Sequence, residues 1–156
     1  FTLKNGQSSN KLFTYRKTYF FELTRDDDDE AVVMIAAQEC NVGCDERTLF
    51  YVFTANGDQP KIIFKFASGA GALGGLKSVN FDVNEIVAEV FGECEIRDWV
   101  IAPNVAKSKA LKPTTYSRFV FSRSPDGFAA DGRETLQMPS IDLLEYRPKI
   151  SFGKQP

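Results

Sequence analysis

The chain contains no histidine, which removes the Ser-His-Asp and Cys-His arrangements and the commonest general base. Acid and base work would fall to carboxylates such as Glu93, Glu95, Asp98, Asp142 and Glu145, and a pair of them could in principle hydrolyse a glycosidic bond. Their spacing singles out no pair, and the polar face of a sheet accounts for them equally well. Asp26-Asp27-Asp28-Asp29-Glu30 offers hard oxygen ligands at a density that suits Ca²⁺, with Asp26, Asp28 and Glu30 as the candidate ligands. The run lacks the D-x-[DN]-x-[DN]-G spacing of an EF-hand loop, so a solvated hairpin tip is the preferred reading. Cys40-x-x-x-Cys44 has neither a second pair nor histidines to make a zinc site. It reads instead as a local disulfide bracing a loop, or as one end of a bridge from either cysteine to Cys94.

Gly69-Ala70-Gly71-Ala72-Leu73-Gly74 matches G-x-G-x-x-G and follows an apparent strand, as a dinucleotide or methyl-donor fold would begin. Such a site needs a helix opening within the glycines, and Leu76-Lys77-Ser78-Val79-Asn80-Phe81 is β-branched and polar. The stretch therefore reads as a connecting loop, and no cofactor is required. Arg118, Arg123, Arg133 and Arg147 stand near aromatic strands and could hold a carboxylate or sulfated sugar bidentately. Alternating polar positions on an exposed sheet face would look the same.

The elements that must carry these residues are strands. Fourteen Phe and 5 Tyr accompany a single Trp, mostly within short β-branched stretches that favour sheets. Residues 18–24 and 31–37 read as a hairpin with a charged tip, after a lead-in over 1–17 that holds one edge strand at most. Cys40 to Arg47 reads as a loop. Residues 49–53 and 61–66 flank a turn at Asn56-Gly57-Asp58, and residues 68–77 are a Gly-rich loop. Between 82 and 92 helical and alternating spacing compete, and the neighbouring strands tip the reading to strand. Residues 93–101 read as one strand carrying Trp99. Strands at 116–122 and 128–130 flank the turn Pro125-Asp126-Gly127. In the last stretch Leu144, Tyr146, Ile150 and Phe152 point one way, with Pro148 marking an edge. Short strands with a turn signal about every ten residues predict one all-β domain over 1–156, an antiparallel two-sheet β-sandwich of jelly-roll type.

The net charge of −2 and the pI of about 5.3, with Lys and Arg dispersed, point away from nucleic acid and from anionic membranes. The longest apolar run, Ala31 to Ala37, is too short to span a bilayer as a helix. A chain that begins at Phe1 rather than Met leads to the expectation of secretion, while three cysteines fit either one disulfide with a spare thiol or three free thiols. Exposed strand edges leave room for a homodimer.

Three stretches carry a family resemblance: Tyr19 to Thr24 with Asp27 to Ile35, Phe50 to Gly57 through Ile63, and Tyr116 to Phe121 with Asp126-Gly127 through Gly132. Their order resembles the domain family named after farnesoic acid O-methyltransferase, over residues 18–153. The family is Trp-rich on these strands, whereas this chain has Phe or no aromatic residue there. The resemblance implies a compact β-sandwich of the kind found as modules in larger extracellular proteins, and the enzymatic name does not by itself imply methyl transfer. The leading expectation is a non-catalytic secreted module that recognises a protein partner or glycan through its loops. The candidate ligand-binding residues are Phe53, Asn56, Trp99, Phe119, Phe121 and Asp126. The alternative is a carrier that holds a terpenoid-like or carotenoid-like apolar molecule against the Phe-rich interior or at a subunit interface. A methyltransferase, as the family name would have it, ranks third.

Overall fold

The computed structural model describes residues 4–8, 12–26, 28–40, 44–56, 59–104 and 112–153, and for residues 39, 40, 44, 45 and 56 it describes the backbone. Alternating apolar and polar residues form eleven strands, and no helix occurs among the described residues. They are β1 (Phe13–Phe21), β2 (Glu30–Cys40), β3 (Cys44–Asn56), β4 (Gln59–Ala67), β5 (Leu76–Asp82), β6 (Glu85–Phe91), β7 (Cys94–Arg97), β8 (Val100–Pro103), β9 (Thr115–Ser124), β10 (Gly127–Gln137) and β11 (Lys149–Phe152). Six make one sheet in the order β1-β2-β3-β4-β8-β7, and five make the other in the order β10-β9-β6-β5-β11.

The inner faces of the two sheets meet over a Phe-rich core. Phe50, Val52 and Phe66 face Phe81, Ile86 and Phe119, all buried. Phe50 meets Phe81 edge-on at 5.6 Å between ring centres, and Phe64 meets Phe121 at 4.9 Å. Each such ring removed from water contributes about 1.5–3 kcal/mol before ordering entropy is counted, and the edge-on geometry adds to that.

The expected two-sheet sandwich is present, and the strand reading of 82–92 holds as β6. Several boundaries differ. Each sheet is mixed: β4 pairs with β8 in parallel, and so does β11 with β5. The first strand starts at Phe13, inside the expected lead-in. The expected loop from Cys40 to Arg47 is mostly strand, because the β2–β3 pairing continues until Cys40 and Cys44 are register partners. Residues 93–101 are not one strand. Asp98 adopts φ 57°, which turns the chain, so β7 and β8 form a tight hairpin with Trp99 in its turn. At the C-terminal end only Lys149–Phe152 is strand, and Leu144 is exposed rather than facing inward with Phe152. The Gly-rich loop ends in strand β5, and its glycines let backbone meet backbone: a Cβ on Gly69 would lie 2.0 Å from the Leu73 carbonyl oxygen.

The two outer faces differ in character. On the five-stranded sheet, Ser78, Glu89, Arg118 and Glu134 form a polar register row, with Lys77 bonded to Glu89. Burial raises the Glu89 pKa, but bonds from Lys77 and Ser78 and the nearby cations outweigh it and leave a net lowering. On the six-stranded sheet the rows are mostly apolar, Lys65 and Thr18 excepted. One row runs Ile62, Phe53, Ala31, Phe20 across β4 to β1. The next runs Lys65, Tyr51, Val33, Thr18, and the third Ala67, Leu49, Ile35, Tyr15. Ile35, Leu49 and Ala67 are buried within this face by their neighbours, which include Phe13, Tyr51 and Trp99. Phe20 is 68% exposed on it.

Candidate binding cleft

Strand β4 is hydrogen-bonded along one side by β3, but on its other side it meets β8 only where Ala67 pairs with Val100. The Ala67 N–H donates to the Trp99 carbonyl at 2.9 Å, and beyond that bond the β7–β8 hairpin diverges from β4. The facing sheet ends in β10 on this side. The sandwich is therefore open between β4 and β10, where a cleft of about 440 Å³ enters the interior.

Each wall of the cleft has a local cause. Phe64, Phe66 and Phe121 are core side chains at its back, placed there by the inward phase of β4 and β9. Phe128, Ala129 and Ala130 form the side contributed by β10. Ile96 and Trp99 come from the β7–β8 hairpin, which the Arg133 guanidinium ties to β10 by donating to the Cys94 carbonyl at 3.2 Å. A β-bulge lets Phe64 pair with Val52 and Ile62 with Phe53, so Ile63 is the extra residue and lines the cleft floor.

Among the described residues, two charged ones, Lys65 and Asp98, line the cleft. The Lys65 ammonium lies 5.0 Å from the centre of the Trp99 ring, a cation–π contact that holds the cation at the lip. Trp99 also lies 6.3 Å from Tyr51, whose phenol burial shifts upward in pKa, and Tyr51 stacks on Phe53 at 6.4 Å. The cleft thus opens onto the aromatic outer face of the six-stranded sheet. The arrangement can desolvate an apolar group and offer a cation and an anion at its entrance.

Of the candidate ligand-binding residues, the fold brings Trp99 and Phe121 into this cleft. Phe119 lies in the core at 2% exposure. Phe53 is on the outer face beside Tyr51. Asn56 ends β3 opposite Gln59, and its side chain lies outside the described residues. Asp126 is exposed in the β9–β10 turn, in a separate polar depression with Asp26, Lys61 and Arg123.

The acidic run is split by the fold. Asp26 accepts the Asp28 N–H at 3.2 Å in an exposed turn, and Asp27 lies outside the described residues. Glu30 turns inward. Its carboxylate accepts from the Leu23 N–H at 2.7 Å and from the Thr24 and Thr54 hydroxyls, each at 3.1 Å. Burial drives its pKa up, against the pull of these three bonds. Among the described residues, no three of His, Cys, Asp and Glu gather as a metal site. Cys94 is a free, buried thiol, so of the two pairings left open the bridge to Cys94 is not formed; burial pushes its pKa up to about 11.

Sequence reasoning missed Phe64, Phe128, Ile96 and Lys65 as site residues. Their signal was present as strand alternation, but which alternating residues border an opening depends on where β8 leaves β4. Family models, curated proteins and solved structures contain no match to this chain.

Proposed function

We propose that the protein is a non-catalytic binding module that takes an apolar ligand of small-molecule size into the β4–β10 cleft. The observation that supports this most directly is the meeting of Trp99 with Phe64, Phe121 and Phe128 around an opening of about 440 Å³, a volume in the range of small-molecule pockets. A carrier of an elongated, terpenoid-like molecule fits better than a loop-borne glycan site, because the cleft continues past Trp99 onto Tyr51 and Phe53. The loop residues Asp126 and Asp26 lie elsewhere, in a polar depression. Lys65 at the lip suits a ligand with a polar or anionic end.

Trp99 is the sole tryptophan of the chain, so its fluorescence reports on the cleft alone. Titration with a panel of polyenes, isoprenoids and fatty acids should quench or shift its emission saturably, and Phe128→Glu should weaken that response by about tenfold or more. Native mass spectra of protein from its source should carry an added mass of a few hundred daltons that is lost on denaturation. A bare polypeptide mass together with an emission indifferent to the whole panel would overturn the reading.

A further inference from the structure

We infer that the open edge of β4 at Lys65 binds a short extended peptide of the pattern apolar–acidic–apolar as an added strand. The inference rests on the reading of the β4–β10 cleft as a ligand site and names a ligand class for it. Five consecutive β4 residues, Ile62 to Phe66, line the cleft. Side chains of a strand alternate between its faces, so a cleft lined by consecutive residues runs along the strand's edge, against its main chain. Two bonds fix which way that main chain points. The Ser68 N–H donates to the Thr48 carbonyl beside β3, whereas the Ala67 N–H donates to the Trp99 carbonyl on the other side. The β3–β4 register is regular from Phe64 to Ala67, so the alternation carries back to Lys65 and turns its N–H and carbonyl away from β3, into the opening. Among the described residues no strand pairs with β4 there: β8 pairs at Ala67, and Gly127 of β10 crowds the Ile63 carbonyl. The gap between these two contacts spans roughly 13 Å. An unpaired strand edge of this kind is a template for another strand.

The pattern of the peptide follows from the pairing. One ligand residue set antiparallel to Lys65 exchanges both bonds with it, its N–H donating to the Lys65 carbonyl and its carbonyl accepting from the Lys65 N–H. A pair of this kind needs only one open residue on β4, which is what the gap offers. Side chains of paired residues lie on the same face. The Lys65 side chain is on the outer face, with its ammonium 5.0 Å from the centre of the Trp99 ring. Asp98 lines the same cleft, but Lys65 forms no ion pair with it or with another carboxylate among the described residues. An acidic ligand residue opposite Lys65 is therefore charge-complementary. Its two neighbours point the other way, to the side of Phe64 and Phe66, where Phe121 and Phe128 complete the walls. Both neighbours must be apolar to enter.

The probe is acetyl-Leu-Glu-Leu-amide, which should quench or shift the Trp99 emission saturably. Methylating its Glu nitrogen removes the donor to the Lys65 carbonyl and should weaken binding by about tenfold. Methylating the nitrogen of the second Leu, which faces away from β4, should leave binding unaltered. Replacing the peptide's Glu by Lys should weaken binding a few-fold, and Lys65→Glu in the protein should reverse that preference. Lys65 is exposed, so the circular dichroism of this variant should match the wild type. Equal affinity of the two methylated peptides would overturn the inference, because burial of the leucines alone does not tell one nitrogen from the other. A saturable response to isoprenoids or fatty acids with none to the peptide would also overturn it, while leaving the cleft as a site for apolar small molecules. A response to the peptide alone, lost on methylating the Glu nitrogen, upholds the inference and removes the terpenoid-like ligand. Silence toward both removes the two readings together.

Discussion

Gly127 lies so close to Ile63 that a Cβ on it would stand 1.9 Å from the Ile63 carbonyl oxygen. This approach, made at φ 138° where other residues are strained, is where β10 touches β4 and closes one end of the cleft. Gly127→Ala should therefore destabilise the protein by about 2–4 kcal/mol and pry the two edges apart. Chemical denaturation would measure the loss. A ΔΔG near zero would show that the two strands part without cost.

At the opposite end of the cleft, Asp98 holds the β7–β8 turn at φ 57° and so sets the position of Trp99. Asp98→Gly, which adopts that conformation freely, should leave stability within about 0.5 kcal/mol. Asp98→Val, β-branched and strained there, should cost about 1–2 kcal/mol and shift the Trp99 emission. Equal behaviour of the two variants would mean that the turn does not position the ring.

Glu30 makes folding stability depend on pH. Its folded pKa lies above the unfolded one because burial disfavours the charge. Between the two values the native state holds the extra proton, so stability falls as pH rises through that window, and acidification from neutrality toward the ordinary carboxylate range relieves the penalty. Glu30→Gln keeps an acceptor for Leu23 and a donor for a threonine hydroxyl, and should flatten this part of the profile. Glu30→Ala, which leaves the Leu23 N–H without its partner, should cost about 1–3 kcal/mol at every pH. Thermal melts from pH 4 to 8 (about the span in which carboxylates retitrate) would read both, and an unaltered slope in Glu30→Gln would exclude Glu30 as the source.

The cysteines should divide into two classes. Cys94 is buried, its thiol lies 3.5 Å from the Phe91 carbonyl, and its pKa stands near 11; it should resist alkylation until the protein unfolds. Cys40 and Cys44 are register partners across the end of β2 and β3, a pairing that sets Cα atoms about 4.5–5.5 Å apart, within disulfide range. In an oxidising medium, peptide mapping should find them joined to each other and Cys94 reduced. Recovery of Cys94 in a mixed pair would contradict the structure.

Composition and alternation by themselves determined the all-β class, the two-layer sandwich and most strand positions, because a period of two with apolar residues, many of them Phe, at the inward sites can bury its apolar surface only between sheets. Over β6 alternation and helical spacing competed, and the neighbouring strands decided the reading; Ile86, Ala88 and Val90 do share the core face. Trp99 and Phe121 were legible as aromatic candidates for the same reason that Phe119, which lies in the core away from the cleft, was grouped with them: one-dimensional periodicity tells inside from outside but not which inside residue borders an opening.

The tertiary structure decided the rest. The parallel pairings of β8 and β11 are contacts between distant segments, with no local signature. Where β8 leaves β4 decides that Phe64, Phe121 and Phe128 meet Trp99 in a cleft. Glu30 read as one more charge on a solvated tip, and only the docking of Leu23, Thr24 and Thr54 around it made it a buried acceptor. The apolar outer face escaped notice in the same way, since an apolar residue on either side of a strand looks alike in sequence. Sheet order brings Phe20, Ala31, Phe53 and Ile62 into one row, and that order rests on long-range backbone hydrogen bonds that side-chain pattern does not encode.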